Sequence, residues 1–200
     1  MYLKKFKLIN FRKFAENENE IEFTDSQGIK KADDGSINIA STTTLLVGKN
    51  NSGKTTVFEA LDKLVNGNSD SNSKPKFTFD DFNYEYIKKL VEEYGNDKYD
   101  VLPSIEFVLT IGLDKGKDDL IVNLGHFIPI GYDPDEIKIL AKYEVVESEI
   151  FKEQVKNEIN SEIYTEDNKI DCFYKLSKII NENLFNYKLK YYDENGNEIK

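Results

Sequence analysis

The octapeptide Gly48-Lys49-Asn50-Asn51-Ser52-Gly53-Lys54-Thr55 meets the spacing G-x-x-x-x-G-K-[ST], and it constrains the fold more than any other feature of the chain. Such a loop acts between a strand and a helix, and the flanking residues fit both. Thr43-Thr44-Leu45-Leu46-Val47 is a β-branched, apolar run of the kind found in buried parallel strands. Beyond Lys54, the residues Val57, Phe58, Leu61, Leu64 and Val65 recur at helical spacing, with Gly67 as a stop. Gly48 and Gly53 let the backbone turn so that the N–H groups through Asn50, Asn51 and Ser52 point inward at phosphate oxygens. The helix start adds its positive end to the same place. Lys54 supplies a point charge for β- and γ-phosphates, Thr55 a hydroxyl for Mg²⁺, and Thr56 reaches the α-phosphate side. The expected ligands are ATP and Mg²⁺; the alternative is a glycine-rich turn that only joins strand to helix.

Elsewhere the pattern alternates between strand and helix. Leu3 to Ile9 reads as a strand with Phe6 and Leu8 on one face and Lys5 and Lys7 on the other, and Ile21-Glu22-Phe23 as a second short one. Asp25 to Ser36 reads as loop and Ile37-Asn38-Ile39 as an edge strand. Asn66 to Pro75 is polar and of low complexity, a loop. Tyr84 to Tyr94 reads as an amphipathic helix ending at Gly95, and Ser104 to Leu113 as a strand that could pair with Leu120 to Leu124. Lys142 to Ile150 fits either period, Phe151 to Ile159 is helix-like and polar, and Cys172 to Phe185 has helical spacing. Tyr187 to Tyr192 reads as a strand entering a turn at Asp193-Glu194-Asn195-Gly196-Asn197, with no return strand expected after it.

Composition narrows the class. A net charge of −10 argues against the whole chain being a nucleic-acid-binding surface, so any DNA contact needs a local basic patch or another part of the protein. Cys172 is the only cysteine, which excludes an internal disulfide; within Cys172-Phe173-Tyr174 it reads as a small core residue. No segment has the ~20 apolar residues that span a bilayer, and the start lacks a signal-peptide run, so a cytoplasmic location and no membrane partner are expected.

One resemblance rests on two motifs. Asn10-Phe11-Arg12-Lys13-Phe14 at the end of an opening strand, followed by a loop with Asn50 in third place, resembles the ABC-type ATPase heads. The relatives are the RecF and SMC proteins and the overcoming-lysogenization-defect (OLD) nucleases, including the Gabija-type defence proteins. Phe77-Thr78-Phe79-Asp80-Asp81-Phe82 and the strand after it resemble the OLD-like group in particular. The resemblance implies an α/β P-loop NTPase fold with an antiparallel N-terminal β-subdomain and a parallel core strand leading into the loop. It implies residues 1–66 as P-loop core, 66–76 as a polar loop, 77–200 as an α+β extension, and the remainder of the domain beyond the chain. It implies a homodimer of heads that sandwich ATP, and DNA as partner of the complete protein in processing, repair or defence, with a nuclease domain downstream. Arg12, the only arginine, would lie beside the phosphates or base edge, the alternative being a surface arginine at the strand end. A strip of Lys5, Lys7 and Lys13 reads as a solvated strand face.

Other parts of such an ATPase are not found. Hydrolysis needs an apolar run ending in Asp-Glu, and Leu120-Ile121-Val122 ends in Asn123. The Ser- and Gly-rich signature segment is missing, Gln27 and Gln154 match the γ-phosphate-sensing glutamine poorly, and His126 reads as a loop or core residue. Catalytic residues are therefore unassigned, the acidic residues do not form a recognisable nuclease metal site, and the chain alone should bind ATP but turn it over poorly. A transporter's nucleotide-binding domain and a non-hydrolysing regulatory module remain as alternatives; Asn10-Phe11-Arg12 and the long polar loop argue against the transporter.

Overall fold

The computed structural model describes residues 2–16, 19–23, 46–50, 52–66, 77–113, 127 and 135–199. Alternation of apolar and polar residues places Phe6 and Leu8 in the interior from β1 (Tyr2–Ile9). β1 pairs on one side with β2 (Glu20–Glu22) and on the other with β3 (Ser104–Gly112). β4 (Glu136–Val145), β5 (Tyr187–Tyr192) and β6 (Glu198–Ile199) extend the same sheet in the order β2-β1-β3-β4-β5-β6. Every pairing among the described residues is antiparallel. The strand at Tyr187 does have a return partner: Tyr191 faces Ile199 and Tyr192 faces Glu198 across the turn. Two residues of pairing are too short to show as periodicity, which is why alternation alone missed them.

Four α-helices accompany the sheet among the described residues. In α2 (Tyr84–Tyr94) the buried Ile87, Leu90, Val91 and Tyr94 follow helical spacing, and Asn83 caps the start by accepting from the Tyr86 N–H at 2.9 Å. α3 (Ser148–Glu158) begins just past β4, so the ambiguous stretch from Lys142 to Ile150 is strand up to Val145 and helix from Ser148. α4 (Lys169–Asn183) buries Cys172, Leu176, Ile179 and Ile180. Burial pushes the Cys172 thiol up, as suits a core residue. α1 (Lys54–Asn66) buries Val57, Ala60 and Leu64, but Phe58 and Val65 are 60% and 75% exposed, so only part of the expected apolar stripe faces inward.

The expected parallel strand ahead of the loop falls mostly outside the described residues, as do 24–42, 67–76, 114–126 and hence the stretches from Asp25 to Ile39 and Leu120 to Leu124. Of its residues, Leu46 and Val47 are described; neither is in a strand and Val47 is 82% exposed, against the buried position expected.

One face of the sheet meets the helices through aromatic rings. Phe107 stacks on Phe6 and Phe77 with centroids 5.9 Å away in each case, and meets Phe11 edge-on at 5.3 Å. Phe77 reaches Tyr143 at 4.6 Å and Tyr143 reaches Tyr187 at 5.1 Å, so the rings run across four strands, from Phe6 of β1 through Phe107 of β3 to Tyr143 of β4 and Tyr187 of β5. The other face is a ladder of opposite charges: Lys142 lies 3.1 Å from Glu106, Lys190 3.2 Å from Glu144, and Lys5 2.7 Å from Glu20. No helix of the described residues is long and apolar enough to cross a membrane. Phe107→Ala should cost about 3–5 kcal/mol of stability, because the ring touches three others and little can collapse into its place. Thermal unfolding followed by circular dichroism should show a Tm lowered by roughly 10 °C.

Candidate phosphate-binding site

The loop itself comes first. Gly48, Lys49, Asn50 and Ser52 are exposed, and the Ser52 N–H donates to the Lys49 carbonyl at 3.1 Å, tightening the turn. Gly53 has φ +94°, a left-handed conformation that side chains rarely adopt. α1 then starts at Lys54, with Val57 N–H donating to the Gly53 carbonyl at 3.1 Å. The first turn of α1 carries no acidic side chain, so the positive helix end is not neutralised from within. The Lys54 ammonium curls over the loop, donating to the carbonyls of Gly48 at 2.6 Å and Lys49 at 2.9 Å. Thr55 is exposed and Thr56 half-buried at the helix start, while Asn51 lies outside the described residues. An exposed glycine-bounded turn, a lysine, two hydroxyls and a helix start without an acidic side chain suit an anion with several oxygens.

The Asn10-Phe11-Arg12 motif reaches this site from the end of β1. Asn10 and Arg12 have φ of 58° and 51°, so the chain reverses sharply around the buried Phe11. Phe11 and Phe14 exchange backbone hydrogen bonds of 2.9 and 2.8 Å, leaving Arg12 and Lys13 at the tip of a tight turn. A second segment clamps that turn. The Arg12 N–H donates to the Asp81 carbonyl at 2.8 Å, the Asn83 N–H to the Asn10 carbonyl at 2.9 Å, and the Asn83 side-chain amide to the Arg12 carbonyl at 2.6 Å.

The side chains follow separate paths. Arg12 does not come to rest on the loop; its guanidinium ion-pairs with Glu59 of α1 and donates to Asp81 Oδ1 at 3.0 Å. Lys63, one turn beyond Glu59, lies 3.0 Å from Asp81 Oδ2. Lys13 instead lies against Gly53. A Cβ at Gly53 would collide with Lys13 Cε and sit 2.9 Å from the Phe14 ring and 3.1 Å from Lys13 Nζ. Lys13 thus leaves the solvated strip in which the sequence placed it, while Lys5 stays on the charged sheet face with Glu20 and Glu22.

Asp81 is the buried member of this network. Burial favours its neutral form, but the Thr78 N–H, Lys63 and Arg12 outweigh it and hold the carboxyl below its ordinary range. Sequence reasoning passed over Glu59 and Lys63, quoted Asp81 only within the Phe77 to Phe82 segment, and read Lys13 as part of a solvated strand face. The i, i+4 spacing of Glu59 and Lys63 on α1 was the available signal, and it required knowing that the Phe77 to Phe82 segment folds against the same helix. Gln154, weighed as a phosphate sensor, accepts a 2.7 Å hydrogen bond from Asn183 and ties α3 to α4. His126 lies outside the described residues.

Comparison with known proteins gives the family. A model of the AAA ATPase domain matches residues 1–200. The chain belongs to that family. Endonuclease GajA of Bacillus cereus (strain HuB5-5) is 36% identical over 210 residues, an alignment that covers 100% of this chain and 29% of that protein. The chain is thus an OLD-like P-loop ATPase domain in type, and it spans about 29% of the relative's length. No solved structure matches it significantly. Within this AAA ATPase domain the loop at Gly48 to Thr55 and the opening Asn-Phe-Arg motif are neighbours in space as well as in family pattern.

Asp81→Asn should lower stability by about 1–3 kcal/mol at neutral pH, since Arg12 and Lys63 lose their shared counter-charge. A carboxyl held below its unfolded value of about 3.9 stabilises the fold fully above that pH and loses its contribution as pH falls through the folded value. Urea unfolding should therefore separate wild type from Asp81→Asn at pH 7 and bring the two together as pH falls through the lowered value of the folded carboxyl.

Proposed function

We propose that this AAA ATPase domain binds ATP with Mg²⁺ as the nucleotide-binding part of an OLD-like ATPase linked to DNA processing or defence. The observation that carries the reading is the loop at the start of α1: a left-handed Gly53, Lys54 bent over the loop, and a helix end without an acidic residue in its first turn. Backbone N–H groups from Gly48 through Gly53, including those of Asn50, Asn51 and Ser52, would hold the phosphates, and Lys54 would turn from carbonyls to β- and γ-oxygens. Thr55 would give its hydroxyl to Mg²⁺, which neutralises charge on the phosphate tail, and Thr56 would face the α-phosphate. Arg12, expected at the nucleotide, is engaged by Glu59 and Asp81; those ion pairs support a positioning role behind the loop.

Turnover needs a carboxylate that orients water, and none of the loop residues supplies it. We therefore place hydrolysis in the complete protein, with heads pairing around ATP and with DNA as the partner. The relative's name, an endonuclease, supports a nuclease function for the whole molecule. The P-loop core at residues 1–66 and the segment 77–200 would then form one nucleotide-binding unit with chain beyond them.

Titration of the protein with MgATP by calorimetry tests the core of this reading. Lys54→Ala should bind about tenfold to a hundredfold more weakly, the worth of a charge-assisted hydrogen bond or two to phosphate. Equal affinity for the variant and the wild type would end the reading.

A further inference from the structure

We infer that Glu59 and Lys63 are positioning residues of the phosphate site: through a ring of four charges they hold α1, and with it Lys54 and Thr55, in the placement that meets phosphate. The assignment rests on the nucleotide-binding reading above. The ring alternates in sign. Glu59 of α1 pairs with Arg12, Arg12 Nε donates to Asp81 Oδ1 at 3.0 Å, and Asp81 Oδ2 lies 3.0 Å from Lys63, again of α1. Two members sit on the helix and two on its frame. The frame is itself tied together: the Arg12 N–H donates to the Asp81 carbonyl at 2.8 Å, and the Asn83 side-chain amide to the Arg12 carbonyl at 2.6 Å.

Helix geometry turns this ring into a lock. Glu59 and Lys63 stand four residues apart on one flank of α1, about 6 Å along its axis. A helix gripped at two such points cannot turn or slide without breaking a pair. Val57, Ala60 and Leu64 bury the inner side, but apolar contact is non-directional and resists those movements weakly. Charged hydrogen bonds to a planar guanidinium are directional. The other flank carries Phe58 and Val65, both exposed, so the polar grip on α1 is one-sided among the described residues. Lys54 opens the helix five residues before Glu59, which leaves about 7.5 Å between the grip and the phosphate lysine. A site made of a lysine, a hydroxyl and a helix start tolerates displacement of only about 0.5 Å.

The role given to Glu59 has a diagnostic sign. Glu59 is a carboxylate on the helix whose start would meet phosphate, in a chain of net charge −10. On charge alone, neutralising it strengthens ATP binding. Were Arg12 a direct ligand of the nucleotide, release from Glu59 would strengthen binding again. A positioning residue gives the opposite result: binding weakens.

The test is MgATP affinity by calorimetry at low and high salt for wild type, Glu59→Gln, Arg12→Met, the double variant of these two, Lys63→Met and Lys54→Ala, with Tm measured for each. Glu59→Gln keeps the shape of a half-exposed side chain, so Tm should move by less than about 4 °C. We expect Glu59→Gln and Lys63→Met each to weaken ATP binding about three- to tenfold. The loss should persist at high salt, because it is one of geometry and not of long-range field. The double variant should be no weaker than Arg12→Met alone, since both changes open the same ring. If either Glu59→Gln or Lys63→Met binds ATP as tightly as wild type or more tightly while Lys54→Ala is weakened, the inference is overturned and the nucleotide reading stands. Losses that add in the double variant, or that vanish at high salt, overturn it too. If Lys54→Ala itself binds normally, the nucleotide reading fails.

Discussion

Asp81 is the interaction on which the arrangement depends. Its carboxylate is buried, and a buried charge is tolerated only when opposite charge and hydrogen-bond donors surround it. Here the donors come from three separate parts of the chain: Arg12 from the end of β1, Lys63 from the P-loop helix, and the Thr78 N–H from its own turn. Satisfying one carboxylate thus fixes the distances between the opening strand, the helix that follows the phosphate loop, and the segment that leads into α2. Glu59 completes the set by taking the other side of the Arg12 guanidinium. Within the network two cations, Arg12 and Lys63, thus meet two carboxylates, Asp81 and Glu59.

The backbone around Phe11 shows what that order costs. Asn10 and Arg12 both adopt left-handed φ, which is ordinary for Asn and unfavourable by about 1 kcal/mol or more for Arg. Offsetting this, Phe11 is fully buried against Phe77 and Phe107, and the reversal is held by hydrogen bonds to Asp81 and Asn83. A motif known by its resemblance to nucleotide-binding families is thereby explained as a structural corner. The corner sets Arg12 against Glu59 of α1 and lays Lys13 against Gly53.

The separation of the two sheet faces serves the same end. Aromatic rings fill the space between the sheet and the helices, while the opposite face is covered by paired lysines and glutamates, each pair worth little in water. Stability therefore rests on the ring-packed side, where Phe77 brings the segment before α2 onto the sheet beside Phe11. The exposed loop residues and the helix start lie at the margin of that core, where α1 is anchored by Val57, Ala60 and Leu64.

Local chemistry determined what the sequence could show unaided. The period of two in β1 and β3, the helical spacing and Asn cap of α2, and the glycines and lysine of the loop each act within a few residues, so their patterns are legible in order. Family resemblance added the class of domain from the same short motifs. Tertiary structure alone decided where Arg12 and Lys13 go, that Asp81 is buried between them and Lys63, that Phe58 and Val65 stay exposed, and that a two-residue strand closes the final hairpin. These depend on contacts between residues up to about seventy positions apart, such as Arg12 with Asp81. A carboxylate and a guanidinium carry no mark of their future partner; only the packed chain, with water removed from between them, makes the choice.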